Sequence, residues 1–507
     1  AELTGLAPAA LRGDPTANIR GGAALLASYQ QHPSDHPADW YGAVARYSGA
    51  TDTQAARAYA DEVYATLRTG ASRVTDDGEA VTLAPTPVTP ETSQLGGLGL
   101  RATDTAGTDC PSDISCEWIP APYEQYGPEP WAYGNHDAAD RPNNLKINYI
   151  LIHDTETSYA NTLRLVQNPR YVSWQYTLRS SDGHIAHHVD NKHVAWHAGN
   201  WYFNTHSIGL EHEGFAAQGT WYTEAMYRTS AKLVKHLAAK YDIPIDRQHI
   251  VGHDNVPGIT PARVPKMHWD PGPYWDWAHY FALLGKPFKK TGAPRSHMVT
   301  IKPDYATNKP AFYGCDPSAP ADPCPLRSSS SVILRTEPRD DAPLLNDIGL
   351  RPDGSPNTMK VSDIGSRVDS GMQYAVADER GDWIAIWYLG QKGWLHKSDT
   401  LWATGLVVTP KPGRDTIPVY GRAYPEASAY PEHVPVQPIV PLQYKMPAGQ
   451  FYTMGMFVGT NYYRAVTLDP TNHTVVNGKD RYYQIQYGHR LMYVRAADVI
   501  LTGSPVA

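Results

Sequence analysis

The C-terminal part of the chain repeats itself. Trp383, Ile386 and Tyr388, followed by Gly393-Trp394-Leu395, return as Tyr482, Ile485 and Tyr487 followed by Met492-Tyr493-Val494, and Asp399 returns as Asp498, all at an offset of 99 residues. Self-similarity at a fixed period means one structural unit used twice. Short apolar runs closed by turn residues make that unit β-rich, so this part must fold as two related β modules rather than as an extension of a single core. With 507 residues against a prior of about 150 per domain, three or four units are expected.

The totals exclude some functions. Lys and Arg number 44 against 51 Asp and Glu, a formal net charge of -7, which argues against a nucleic-acid partner whose many phosphates must be neutralised. No run of about 18 apolar residues occurs, so no membrane span is expected. The opening AELTGLAPAALRG lacks the charged-then-apolar layout of a signal peptide, and a start at Ala1 without a methionine is what either a processed mature protein or a trimmed chain would show. Oligomeric state is not legible. Cys110 with Cys116, and Cys315 with Cys324, form two close pairs in Pro/Asp/Ser-rich stretches. Local disulfides are expected; zinc ligation is the rival reading, but the spacings do not match the short knuckles of structural zinc sites. Disulfides favour an oxidising, extracellular setting. The excess of 33 Tyr and 14 Trp over 7 Phe suits exposed platforms for sugars and peptides, although Tyr-rich sheets also arise through packing alone.

Residues 1–70 read as helical, with Leu25, Leu26 and Tyr29 on one face and Tyr59, Val63 and Leu67 at helical spacing. DPTANIRGGAALLASY and WYGAVARYSGATDTQAARAYADEVYATL resemble the C-terminal half of a lysozyme-like lytic transglycosylase domain. The half carrying that family's catalytic glutamate has no counterpart, so no glycan cleavage is expected here. Residues 71–130 are rich in Thr, Pro, Gly and Asp and read as an irregular linker. From 131 to 290, β and α signals alternate: INYILIH (147–153) is a strand, and Thr223 opens a helix with Met226, Leu233, Val234, Leu237 and Tyr241 on one stripe, ended at 242–244. An α/β domain with a central mixed sheet is expected. Residues 291–325 read as a linker holding the second Cys pair. The β module at 326–402, opening with SSVILRTEP and closing with GDWIAIWYLGQKGWLHKSD, resembles a bacterial SH3-like (SH3b) cell-wall module. A second, more divergent SH3b-like module occupies 410–505.

Zinc hydrolysis needs three N, S or O ligands and one open position. In the middle domain His153 ends the strand INYILIH. His253, in HIVGHDNVPG, follows the short apolar run Ile250-Val251. Asp270 lies in HWDPGP, whose prolines fix its direction. Two histidines and a carboxylate make a sensible catalytic zinc shell. Any one of the 21 histidines is more often a packing or surface residue than a ligand, so the combination carries the reading.

IHDTE, VSWQY, VAWHAGN, SIGLEHEG, VGHDNVPG and HWDPGPYWDW follow one another in the order and spacing of the zinc N-acetylmuramoyl-L-alanine amidases, which share a fold with peptidoglycan recognition proteins. The resemblance implies zinc as cofactor and His153, His253 and Asp270 as its ligands. It puts Glu211 in the acid-base role. Glu213 stands two residues on, and since side chains two apart on a strand point the same way, geometry alone does not choose between them. Trp174 falls where some relatives carry a catalytic-site tyrosine; indole offers only a donor, so it reads as a wall for sugar or peptide. His268 falls where many relatives carry a lysine that stabilises the oxyanion. An imidazolium can donate there or protonate the leaving amine, and a pKa near about 6.5 makes that role pH-dependent; the rival reading is packing beside Trp269. In VAWHAGNWYFNTH, Trp196, His197, Trp201 and Asn204 suit a groove for sugar and stem peptide, with Trp196 equally suited to a core position.

The expected function is secreted hydrolysis of bacterial peptidoglycan at the amide between N-acetylmuramic acid and L-alanine, with the β modules concentrating the enzyme on the wall. The alternative is a protein that binds muropeptides without cutting them. A zinc peptidase acting within the stem peptide would share the chemistry but not the VAWHAGN and SIGLEHEG context.

Overall fold

A computed structural model of the protein describes residues 1–30, 32–74, 79–102 and 105–503. Parts of the segments 71–130 and 410–505 therefore lie outside the described residues. The backbone divides into two units, one formed by Ala1–Trp118, Leu178–His187 and Thr223–Leu233, the other by Ile119–Thr177, His188–Tyr222 and the chain from Val234 onward.

The first unit is helical at its start because its caps and small residues allow it. Asp14 accepts from the Ala17 amide to open helix Pro15–Tyr29, and Asp52 accepts from the Ala55 amide to open Thr53–Thr69, which stops at Gly70 with φ +70°. Caps of this kind satisfy amides that a helix start leaves unpaired, at about 1 kcal/mol each. Ala45, Ala56 and Ala60 let the helices approach while Tyr41 and Tyr64 fill the space between them, ring centres 5.3 Å apart. The stretch 71–130 is not wholly irregular. It contributes an antiparallel strand pair, Ala71–Val74 with Ala80–Leu83, a 3-10 turn, Thr92–Leu98, and a strand, Cys116–Trp118, parallel to Ile185–His187. Cys110 is disulfide-bonded to Cys116. Thr223 accepts from the Met226 amide at the start of helix Glu224–Tyr241.

In the second unit, strands Ile250–Gly252, Tyr149–Asp154 and Ser207–His212 lie side by side and parallel within a mixed sheet. Tyr149–Asp154 is buried at every position, as the apolar run from Tyr149 to Ile152 requires of a central parallel strand. Two β-rich regions follow. A five-stranded sheet has the order Gln391–His396, Trp383–Tyr388, Gln373–Arg380, Met298–Ile301, Thr400–Ala403. A seven-stranded sheet runs Pro441–Pro447, Thr416–Tyr420, Leu491–Arg495, Thr474–Gln486, Tyr452–Arg464, Leu406–Pro410, Val499–Gly503. The sequence repeat reappears here: the turn Lys397–Asp399 feeds strand Thr400–Ala403, and 99 residues on the turn Ala496–Asp498 feeds Val499–Gly503. The stretch 291–325 is more than a linker, because Met298–Ile301 pairs on both sides within the five-stranded sheet. Four residues are too few to show periodicity among prolines. Cys315 is bonded to Cys324.

Tyrosine accounts for much of the packing. Tyr149, Leu151 and Val251 share a core cluster with Tyr420, Tyr482 and Tyr493, and the Tyr149 hydroxyl bonds Gln484 and the Tyr493 hydroxyl, the latter at 2.7 Å. Rings with a polar tip can be buried when that tip finds a partner. Among the described residues no helix is long and apolar enough to cross a membrane.

Candidate metal centre

Parallel pairing brings the site together. The register sets His153 opposite Glu211 and Ile152 opposite Gly252, so His253, the next residue, emerges beside His153 at the same carboxyl edge. That edge is where open parallel sheets bind ligands. Asp270 reaches it from a loop pinned by two bonds: its carbonyl accepts from the Asp254 amide at 2.8 Å, and its Oδ2 accepts from the Asp154 amide at 3.3 Å.

His153 Nδ1 lies 3.4 Å from Asp270 Oδ2, and His253 Nδ1 lies 3.2 Å from Asp270 Oδ1. All three side chains are buried, and one donor atom from each falls within a 4.8 Å sphere of mutual distance. A hydrogen-bond chain assigns the tautomer of His153. The Phe203 carbonyl accepts from Ser207 Oγ (2.6 Å), Ser207 Oγ accepts from His197 Nε2 (3.3 Å), and His197 Nδ1 accepts from His153 Nε2 (3.0 Å). His153 Nδ1 is therefore left with its lone pair directed at Asp270, the arrangement that a second-shell partner imposes on a metal-binding histidine. Gly209 makes room for this: a Cβ there would meet the His197 ring at 2.7 Å. Neither ring nitrogen of the buried His253 has a hydrogen-bond partner among the described residues. Buried polar atoms are normally satisfied. The donors here fit a divalent cation of the kind that takes imidazole and carboxylate.

The electrostatics agree. Burial pushes His153 down to about 4, with the neighbouring His253 adding to the effect, and burial likewise holds His197 well below the usual histidine range. Both rings are thus neutral, as ligation requires. Burial opposes ionisation of Asp270, but the neighbouring imidazoles, His253 first and then His153 and His268, hold it well below the usual carboxylate range. Glu211 Oε1 stands 3.9 Å from His153 Nδ1. Burial, then the charges of Asp270 and Asp154, push its carboxyl well up, and its Oε2 has no partner among the described residues. The Glu213 carboxylate instead accepts from the Tyr159 amide at 2.8 Å, at the start of helix Tyr159–Val166. Of the two glutamates, Glu211 is the one that faces the histidines.

A cavity of about 290 Å³ opens beside the trio, lined among others by Trp196, His197, Asn204, His253, Met267 and His268. The His268 side chain is 72% exposed, with Nδ1 at 3.6 Å from Asp270 Oδ1, and the carboxylate of Asp270 beside it raises its pKa. Trp196 donates through Nε1 to Asp137 Oδ2 (2.6 Å), and Asn204 Oδ1 accepts from the His197 and Ala198 amides, fixing the loop itself. Two aromatic expectations are corrected. Trp174 is buried with Val166, Val189 and Ala195, its Nε1 bonded to Thr177 Oγ1, and so belongs to the core rather than to a substrate wall. Trp201 stacks on Tyr463, planes 4° apart, and donates to its carbonyl at 2.8 Å, so its ring is spent on a β-rich region and not on the cavity. Arg263 and Lys266 do line the cavity; only their nearness to Asp270 in the chain hinted at this. A larger cavity, about 530 Å³, lined by Lys146, His206, His249 and Arg481 among others, shares no lining residue with it.

Residues 143–273, which include His153, His197, Glu211, His253, His268 and Asp270, match the sequence model of the family Amidase_2, described as N-acetylmuramoyl-L-alanine amidase. Over 146 residues the chain is 34% identical to N-acetylmuramoyl-L-alanine amidase A of Achromobacter lyticus, covering 27% of this chain and 81% of that protein. Over 109 residues it is 37% identical to the 1,6-anhydro-N-acetylmuramyl-L-alanine amidase AmpD of Salmonella typhimurium, covering 20% of this chain and 52% of AmpD, about half the length of that relative. The crystal structure of a selenomethionine AmpD derivative is similar at 24% identity and a TM-score of 0.25, over 34% of this chain and 94% of that one. With most of the Achromobacter enzyme spanned at 34% identity, the chain belongs to the N-acetylmuramoyl-L-alanine amidase family.

Proposed function

We propose that the protein is a zinc-dependent peptidoglycan hydrolase that cuts the amide between the lactyl group of N-acetylmuramic acid and L-alanine. The observation that carries this is the trio His153, His253 and Asp270 with Glu211 facing it from the neighbouring strand, in a family whose named relatives act on that bond. The donor set fits zinc, which when bound polarises a carbonyl and acidifies a water.

The chain's own residues do the rest. His153 offers Nδ1, held lone pair outward by His197 and Ser207. Glu211 is the base that takes the proton from the attacking water and returns it to the amine as the carbon–nitrogen bond breaks; a cation in the trio would offset the burial that otherwise keeps it protonated. His268, beside Asp270 at the cavity, donates to the carbonyl oxygen as negative charge collects there, a contribution of about 2.7–4 kcal/mol for a single donor of this kind. Trp196, His197 and Asn204 position sugar and peptide in the cavity, and Arg263 and Lys266 give it positive charge suited to the carboxylates of a stem peptide.

The proposed arrangement is an amidase domain at 131–290 followed by two SH3-like modules, at 326–402 with its first strand at Met298–Ile301, and at 410–505. By holding the wall these modules would raise the local concentration of the catalytic domain. The two disulfides support a secreted, extracellular place of action. Mass spectrometry of digested peptidoglycan tests the reading. Stem peptides with a free L-alanine amino terminus, abolished by a chelator and restored by zinc, are expected; muropeptides bound but uncut would overturn it in favour of a binding protein.

A further inference from the structure

A second cluster of metal-competent side chains lies away from the trio. Asp254 follows His253 in the turn His253–Asn255, Asp369 ends strand Arg367–Asp369, and His489 sits in the turn between Thr474–Gln486 and Leu491–Arg495. The three are 0%, 0% and 3% exposed. His489 Nε2 is 3.0 Å from Asp254 Oδ2 and 3.7 Å from Asp369 Oδ2.

His489 Nδ1 is 2.9 Å from the Arg367 carbonyl, which can only accept, so Nδ1 carries the hydrogen. In a neutral ring Nε2 would then aim a lone pair at two carboxylates, which is repulsive unless a cation lies between. A proton would do, but an Nε2 proton should then form a hydrogen bond, and despite the 3.0 Å separation no aligned bond forms. His489 Nε2, both oxygens of Asp254 and Asp369 Oδ2 lack hydrogen-bond partners among the described residues. Arg247 is occupied elsewhere: it donates to the Ser370 and Ile250 carbonyls and to Asn255 Oδ1 and lies over Trp277. Arg367 donates through Nη1 to the Val361 carbonyl, and its Nε and Nη2 have no hydrogen-bond partner among the described residues. Among the described residues neither arginine forms an ion pair with Asp254 or Asp369.

The spacing suits a metal shell. Ligands at about 2.0–2.2 Å from a tetrahedral zinc stand roughly 3.4 Å apart; the separations here, 3.0 and 3.7 Å, bracket that value, as the 3.2 and 3.4 Å of the first trio approach it. The support is rigid: the His489 carbonyl accepts from Asn255 Nδ2 and Gln486 Nε2, and the Gly488 carbonyl from the Tyr374 hydroxyl.

We propose a second, structural divalent-cation site held by Asp254, Asp369 and His489, which pins both C-terminal β-rich regions to the turn that carries His253. It goes beyond the amidase reading and stands without it. The test is metal stoichiometry of the full chain, stripped with chelator, reloaded with zinc chloride, desalted and measured by mass spectrometry of the metal. Two equivalents are expected, falling to one in His489→Gln and in Asp369→Asn. The double variant His153→Ala, Asp270→Ala should also keep one, and zinc should still raise its melting temperature. No equivalent in the double variant would overturn the proposal even if the second-cluster variants failed to fold, and one equivalent in the unaltered chain would do so where the double variant loses it.

Discussion

Replacing Glu211 by Gln separates catalysis from stability in a way that follows from its surroundings. Its Oε2 has no partner among the described residues and burial disfavours its charge, so an uncharged isostere removes a strained ionisation and costs the fold nothing. As the base that accepts the proton of the attacking water, however, it contributes about 10² to 10⁴ in rate, which is roughly 2.7–5.4 kcal/mol of barrier. Glu213→Gln is the matched control. That side chain accepts from the Tyr159 amide at the head of a helix, where losing the negative charge costs about 0.3–1 kcal/mol of stability and should leave kcat within a factor of about three of the parent enzyme's. The assay is release of L-alanine amino termini from a purified muropeptide with zinc-loaded protein, run beside thermal melts. Glu211→Gln should lose at least about a hundredfold in kcat with an unchanged or higher Tm. A Glu211→Gln enzyme within tenfold of its parent, or a Glu213→Gln enzyme equally damaged, would refute the assignment.

Other consequences can be measured separately. His197→Phe breaks the chain that orients His153, so zinc affinity measured against a competing chelator should fall by about 10 to 100-fold, and Gly209→Ala should do the same by displacing that ring; unchanged affinity in both would contradict the tautomer assignment. Burial pulls His136 and His212 down to about 3, below the ordinary histidine value, so the unfolded chain takes up protons first: their stabilisation is present above about pH 6.5 and lost as pH falls, at roughly 2.7 kcal/mol per pH unit for the two together. Denaturant melts at pH 7.5 and 5 should show this loss, whereas equal stability at both would contradict it. Trp201→Ala should lower stability by about 1.5–3 kcal/mol through lost stacking and one hydrogen bond while leaving KM for muropeptides near the parent value; a large rise in KM with no change in melting would return Trp201 to the substrate groove.

The trio was legible because each member leaves a strand or enters a proline-fixed loop, and chain order shows such exits. Strand geometry did not choose between Glu211 and Glu213, since both alternate to the same face of a regular strand; the family resemblance pointed to Glu211, and the pairing of His153 with Glu211 and the end of the strand at His212 give that choice its physical reason. Aromatic residues misled for a related reason. Trp174 and Trp201 carry the same indole whether it faces a cavity or a core, and the partner that decides the matter for Trp201 lies 262 residues away. The cluster of Asp254, Asp369 and His489 left no local trace at all, because its members share no motif and meet only through the packing of separated segments. The 99-residue repeat was readable, for the apolar pattern and the closing aspartate recur at turns of the same form, but the short strand Met298–Ile301 ahead of it was hidden among prolines.

The most direct test of the account is anomalous diffraction at the zinc edge from crystals of the zinc-loaded chain. A peak within about 2.0–2.2 Å of His153 Nδ1, His253 and Asp270, with the Glu211 carboxylate beside it and unligated, is the predicted result. Zinc bound elsewhere with that position empty, or bound there by Glu211 in place of Asp270, would contradict it.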